Sequence, residues 1–185
     1  ARILEDEVQR LSGQLTQTSE QAFTDALTGL PNRRGLDRWF AEMRQRCHVR
    51  AEPLSIGILD VDDFKKLNDG LGHLAGDGAL KHLADLLRSR VRPDDLAARY
   101  GGEEFVLLLP GARAEDAAEA LRRIQRALSA DVFLHSSSKV FLTFSAGVTE
   151  VAQEESLESA LERADEAMYR AKRLGKNRVC QAMQP

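Results

Sequence analysis

The hydrophobic rhythm of the chain changes near residue 22. Before it, Leu4, Val8, Leu11, Leu15, Thr18 and Ala22 recur at alternating steps of four and three, with Glu, Gln, Arg and Ser between them. That a/d seam predicts a short coiled-coil helix over 1–22. It lacks the extra apolar positions of a core-facing helix, which favours a partner helix over packing on its own domain. After the turn-rich "DALTGLPNRR", residues 33–48 read as a helix. "LSIGILDV" (54–61) is a continuous apolar run of strand length, so a central strand is expected. A polar, glycine-rich stretch follows, then a helix over about 75–90 and the turn "RPDD". "LAARY" and "FVLLL" read as strands on either side of Gly101-Gly102, whose expected positive φ angles would close a hairpin. Residues 114–129 form an Ala-rich helix, and "VFLTFSAGV" (140–148) reads as one strand. Leu157 to Leu174 is an amphipathic helix stopped by Gly175, and "NRVCQ" is a last short strand. Helices and strands interleave, but the hairpin rules out a purely parallel sheet. The fold class is α+β, with helices packed around one mixed sheet.

Composition narrows this picture little. At 185 residues, 43% hydrophobic and 30% charged, the chain can bury one sizeable core and carry an appendage, divided here as 23–185 and 1–22. Cys47 and Cys180 are far apart, show no metal-ligand spacing, and read as reduced thiols. No apolar run is long enough to cross a bilayer and no signal peptide is visible. The expected location is the cytoplasm. The sequence begins in mid-helix pattern, as a fragment would, so any membrane anchor is expected upstream of Ala1. A net charge of -3 argues against a surface for nucleic-acid polymers, while small anionic ligands need only a local cluster.

Such a cluster follows the central strand, in "DVDDFKKLNDGLGH". Asp60 ends an otherwise apolar run, where a charge is costly unless something pairs it. Three aspartates within four residues suggest a cation. An EF-hand does not fit, since its loop needs oxygen ligands and a glycine where Phe64 and Lys65 stand. Magnesium, held by carboxylates and a substrate's phosphates, suits the residues better. Glu103 and Glu104 would complete the site if the two strands are neighbours. For the phosphates, Lys65 stands at the start of a helical turn. Lys172 and Lys176 are spaced i, i+4 at the end of the last helix, although cations favour helix C-termini for dipole reasons alone. A Walker A loop is absent, because "GHLAGDG" lacks the Lys-Ser/Thr ending. Asn68 and Asp77 carry the donor and acceptor chemistry that reads guanine, and equally suit a turn former or an N-cap. His73 has the same status.

The motifs "DALTGLPNRR", "DVDDFKKLNDGLGHLAGD", "RPDD", "RYGGEEF", "SAGV" and "ADEAMYRAKRLGKN" stand in one order along about 23–182. Together they resemble the GGDEF family of diguanylate cyclases, with the signature spelled GGEEF. The resemblance implies a palm-like, nucleotidyl cyclase-type fold and the condensation of two GTP into cyclic di-GMP with release of two pyrophosphates. It implies two magnesium or manganese ions per site, held by Asp60, the Val61 carbonyl, Glu103 and Glu104. Glu103 also matches the residue assigned as base toward the attacking 3′-hydroxyl, and Lys65 would neutralise charge in the transition state. Asn68 and Asp77 would read the guanine with His73 beside them, and Lys172 and Lys176 would bind the terminal phosphates. The family often has Gly-Arg-Asn where this chain has "GKN", so a bidentate fork is lost and GTP is expected to bind less tightly. Arg92 and Asp95 occupy the R-x-x-D positions of a product-binding, inhibitory site. A homodimer is implied, since each domain holds one of two mutually attacking nucleotides, as is an upstream sensory domain. The competing reading is a catalytically weak module that binds cyclic di-GMP or GTP, against which Asp60, Lys65, Glu103 and Glu104 are all present. A purely dimerising adaptor rests on 1–22 alone.

Overall fold

The structure, a computed structural model, describes residues 22–183. The coiled-coil seam expected over 1–22 therefore lies outside the described residues, apart from its last position. Along the chain come α1 (Arg33–Arg50), β1 (Leu54–Val61), α2 (Phe64–Leu71), α3 (His73–Arg90), β2 (Leu96–Arg99) and β3 (Glu104–Pro110). Then follow α4 (Ala114–Ala130), β4 (Phe133–His135), β5 (Ser138–Val140), β6 (Phe144–Glu150), α5 (Leu157–Arg173) and β7 (Val179–Gln181).

Every residue of β1 is buried, as an uninterrupted apolar run requires, and β1 takes the centre of a five-stranded sheet. The order is β2-β3-β1-β6-β7, antiparallel except where β7 pairs parallel with β6. The alternation of β1 divides the core in two. Leu54, Ile56 and Ile58 pack with Phe40 and Met43 of α1 and Leu161 and Met168 of α5. Leu59 and Val61 pack on the other face with Leu80 and Leu83 of α3 and Leu121 and Ile124 of α4. By the same alternation Asp60 falls on the α1/α5 face. That face comes close to the backbone of α5 at Gly147, where a Cβ would collide with the Ala164 carbonyl.

Three local expectations need correction. The glycine-rich stretch after β1 is a helix, α2, seated by the buried Phe64. "VFLTFSAGV" is not one strand: Val140 pairs with Phe133 in a separate two-stranded ribbon, and β6 starts only at Phe144. Thr143, between them, gives its carbonyl and hydroxyl to Asp62 instead of a ladder. Gly101 and Gly102 do not have positive φ angles. What glycine supplies at 101 is room for the Glu104 carboxylate, which a Cβ there would displace.

The amino-terminal segment is bolted to this hairpin. Arg99 holds Asp25 through Nη1 (3.1 Å to both oxygens), its Nη2 donates to the Gly102 carbonyl (2.7 Å), and its backbone N–H donates to the Pro31 carbonyl. Burial opposes the Asp25 charge, yet hydrogen bonds from Thr28 and Arg99 hold its carboxyl below the ordinary range. Asn32 caps α1 by accepting from the Gly35 N–H and donates back to the Ala22 and Thr24 carbonyls.

Candidate active site

The antiparallel pairing of β1 with β3 puts the C-terminal end of one beside the N-terminal end of the other. In that register Asp60 stands directly opposite Glu104, and the Val61 N–H donates to the Glu103 carbonyl (3.2 Å). The two halves of the acidic cluster are therefore neighbours, as the sequence required of a shared site. Asp60 is only 8% exposed, and Lys172 of α5 reaches it with Nζ 2.9 Å from Oδ1. Burial pushes the Asp60 carboxyl up, and Lys172 opposes the shift. Glu103 and Glu104 are raised too, by burial first and then by the Asp60 charge. Beside Glu104 opens a cleft of about 480 Å³ between α1, α5 and the sheet end, lined by Arg33, Asp37, Tyr100, Leu161 and Asp165 among others.

These donors suit a hard divalent cation. Three carboxylates belong to one strand end, each raised first by burial and then by its acidic neighbours, and an ammonium already lies against Asp60. Among the described residues no three His, Cys, Asp or Glu side chains converge into a cage.

The remaining candidates surround this point. Lys65 is the second residue of α2, exposed and without an ion-pair partner among the described residues, while its neighbour Lys66 holds Asp63 (2.7 Å). Lys176 lies beyond the end of α5, in a left-handed turn with φ 60, and not on the helix as its spacing suggested. Its Nζ also reaches Asp63 (2.9 Å), which raises the Lys176 pKa. The dipole explanation of the two lysines is thus incomplete, because both extend to the carboxylates at the end of β1 and just after it. Asn68 on α2 lies against Gly76 of α3, the residue before Asp77, and a Cβ at Gly76 would collide with Asn68 Oδ1. Asp77 is the fifth residue of its helix, so it is no N-cap. The Asn68 Oδ1 is buried without a hydrogen-bond partner. His73 opens α3, exposed, after the left-handed Gly72.

Arg92 and Asp95 sit at the other end of β2. The Asp95 carboxylate accepts from the Arg92 N–H (2.8 Å), closing the turn, while burial raises its pKa. Arg46 of α1 steadies the turn through Asp94 (3.7 Å). Sequence reasoning passed over Arg123 of α4, which lines the same crevice as Arg92 and Asp95. Its only signal was a charge within an amphipathic helix, which looks like any solvated face.

A family model described as diguanylate cyclase, GGDEF domain, matches residues 22–178. Diguanylate cyclase DgcP of Pseudomonas aeruginosa is 42% identical over 176 residues, covering 95% of this chain and 26% of that protein. Response regulator PleD of Caulobacter vibrioides is 40% identical over 172 residues, covering 91% of this chain and 38% of that protein. The chain thus spans between a quarter and two fifths of the length of these relatives. Among solved structures, the coiled coil and GGDEF domain of DgcB from Caulobacter crescentus, in complex with c-di-GMP, superposes with a TM-score of 0.90 at 34% identity. That match covers 98% of each chain.

Proposed function

The chain belongs to the GGDEF-domain family of diguanylate cyclases, and from that premise we propose that residues 23–185 are a catalytic domain condensing two GTP into cyclic di-GMP. The observation that carries this reading is the register pairing of Asp60 with Glu104, with the Lys172 ammonium against Asp60. Asn68 and Asp77 read the guanine: the carboxylate accepts from its N1–H and N2–H, and the amide offers the complementary group. Lys65, Lys172 and Lys176 hold the phosphates and offset charge as it builds on the departing pyrophosphate. Asp60, the Val61 carbonyl, Glu103 and Glu104 would hold divalent metal, magnesium or manganese, which supplies a lower pKa for the attacking hydroxyl and neutralisation of the leaving group. Glu103, raised by its buried setting, is positioned to take the proton of the 3′-hydroxyl as oxygen attacks the α-phosphorus of the second nucleotide. Attack and pyrophosphate loss then repeat in the opposite sense.

One domain supplies one nucleotide, so two copies must face each other. We assign residues 1–22 the role of keeping them close, because tethering raises the local concentration. An upstream sensory region would act through the same segment. Arg92 and Asp95 are the product-binding pair. No helix among the described residues is long and apolar enough to cross a membrane, and the proposed reaction belongs in the cytoplasm, where GTP is.

The test is incubation with GTP and magnesium at several protein concentrations, followed by separation of the nucleotides. A cyclic dinucleotide, formed with a specific activity that rises with protein concentration, is the expected product. Tight GTP binding without any product would favour the binding-module reading instead.

A further inference from the structure

Asp62 is a carboxylate of the acidic cluster that the proposed chemistry leaves unused. Its oxygens are engaged within the chain. Oδ1 accepts from Ser145 Oγ (2.6 Å), and Oδ2 accepts from Thr143 Oγ1 (2.8 Å) and from the backbone N–H of Asn177 (3.0 Å). The Asp62 N–H in turn donates to the Thr143 carbonyl (2.9 Å). Ser145 is in β6 and Thr143 immediately precedes that strand, but Asn177 comes from the chain leaving α5.

That exit is an unusual piece of backbone. Gly175, Lys176 and Asn177 carry φ angles of 111, 60 and 46, three left-handed residues in a row. Only glycine takes that region without penalty, and two of the three have side chains. The conformation needs an outside hold. Within the turn, the Lys176 N–H donates to the Ala171 carbonyl and the Gly175 N–H to the Lys172 carbonyl. The bond from Asn177 to Asp62 fixes the turn to the end of β1, 115 residues away in sequence.

We propose that Asp62 is a positioning residue for the terminal phosphates of a nucleoside triphosphate. By pinning the 175–177 turn, it fixes Lys176 and the last turn of α5, and so both lysines that face the carboxylates around the end of β1. Lys172 reaches Asp60 from the last turn of α5, and Lys176 reaches Asp63 from the 175–177 turn itself, at 2.9 Å each. The inference rests on the reading of Lys172 and Lys176 as phosphate-binding groups. A carboxylate suits this position because it accepts from two hydroxyls and one amide at once, which neither an amide side chain nor a hydroxyl can match in acceptor capacity.

The experiment compares binding of a non-reacting GTP analogue and of GMP by calorimetry in the presence of magnesium. Wild type, Asp62→Asn, Ser145→Ala and Lys176→Ala are measured, with thermal melting of each. A positioning role predicts that Asp62→Asn weakens the GTP analogue about tenfold while GMP changes less than about twofold, because only the distal phosphates lose their lysines. Ser145→Ala loosens the same carboxylate without touching the turn, so it should lower the melting temperature and leave the GTP-to-GMP ratio alone. Equal weakening of both nucleotides in Asp62→Asn, or none, overturns the inference when Lys176→Ala still weakens the GTP analogue selectively. Lack of selectivity in Lys176→Ala overturns the phosphate reading, and the inference with it. Should Asp62→Asn melt too low to assay, Asp62→Glu carries the same expectation, since its longer arm keeps the charge but misplaces it for the Asn177 N–H.

Discussion

The two ends of the β2–β3 hairpin both present acidic groups lifted by burial, yet they are built in opposite ways. At the Arg92 end, Asp95 spends its carboxylate on its own turn by accepting from the Arg92 N–H, and Asp94 is tied to Arg46. At the Gly101 end, neither the Glu103 nor the Glu104 carboxylate accepts a hydrogen bond among the described residues. The β1 register and the space over Gly101 hold them in place instead. Carboxylates held by strand geometry alone stay free to meet a ligand, at a cost to the unliganded fold. A carboxylate that closes its own turn stabilises the chain first and can serve a ligand only with the edge it has left. The Gly101 end should therefore respond to mutation chiefly in activity, and the Arg92 end chiefly in regulation.

The sharpest way to break this contrast is Glu103→Gln. It keeps the volume and removes the charge, so turnover should fall by about a thousandfold or more, with melting temperature unchanged or higher. Product formation near the wild-type rate would show that the free carboxylates do not serve the chemistry. Next in size is Asp77→Ala, on the exposed face of α3. The loss of one acceptor for guanine should cost about 1–3 kcal/mol of base discrimination. Competition between GTP and ATP on wild type and variant measures it, and an unaltered preference would remove Asp77 from the site.

At the other end, Arg92→Ala should leave the Asp95 turn closed, because the bond uses the Arg92 backbone N–H and not its guanidinium. The expected change is a rise of about tenfold in the cyclic di-GMP concentration needed for half inhibition, from the lost charge-assisted contact. Equal potency against wild type and variant would deny this turn its regulatory role. The smallest effect is thermodynamic. Glu104 is raised above the ordinary glutamate value by burial and by Asp60, so the folded chain binds that proton more tightly than the unfolded one. Its contribution to stability therefore weakens as pH rises above the ordinary glutamate pKa through the raised one. Glu104→Gln should then stabilise the ligand-free domain at neutral pH, an advantage that fades as the pH falls to about 4. Melting curves across that range with no such convergence would mean that Glu104 is not held under strain.

Much of this was legible in the residues themselves. The uninterrupted apolar run from Leu54 determined a central strand, because only a strand buried on both faces has no use for polar positions. The helix over 157–173 followed from its 3.6-residue spacing and the glycine after it. The acidic and basic candidates were nameable because charged groups beside an apolar strand, or set around a glycine-rich turn, need a reason to be there. Such features are local, and short-range spacing encodes them.

The tertiary structure decided what no local spacing can carry. Whether Glu104 met Asp60 depended on which strand lies beside β1 and in what register, and a slip of one residue would have turned Glu104 to the opposite face. Lys172 could have been an ordinary cation at a helix end, until α5 crossed the sheet at Gly147 and brought its ammonium to Asp60. Asp62 and Asp60, two residues apart in one motif, looked alike as ligands. Packing gave one a single lysine, and the other three donors from Thr143, from Ser145 of β6 and from the turn after α5. The carboxyl chemistry is identical in both. Only the chain segments that fold over each one separate a group held ready for a ligand from one that holds the site together.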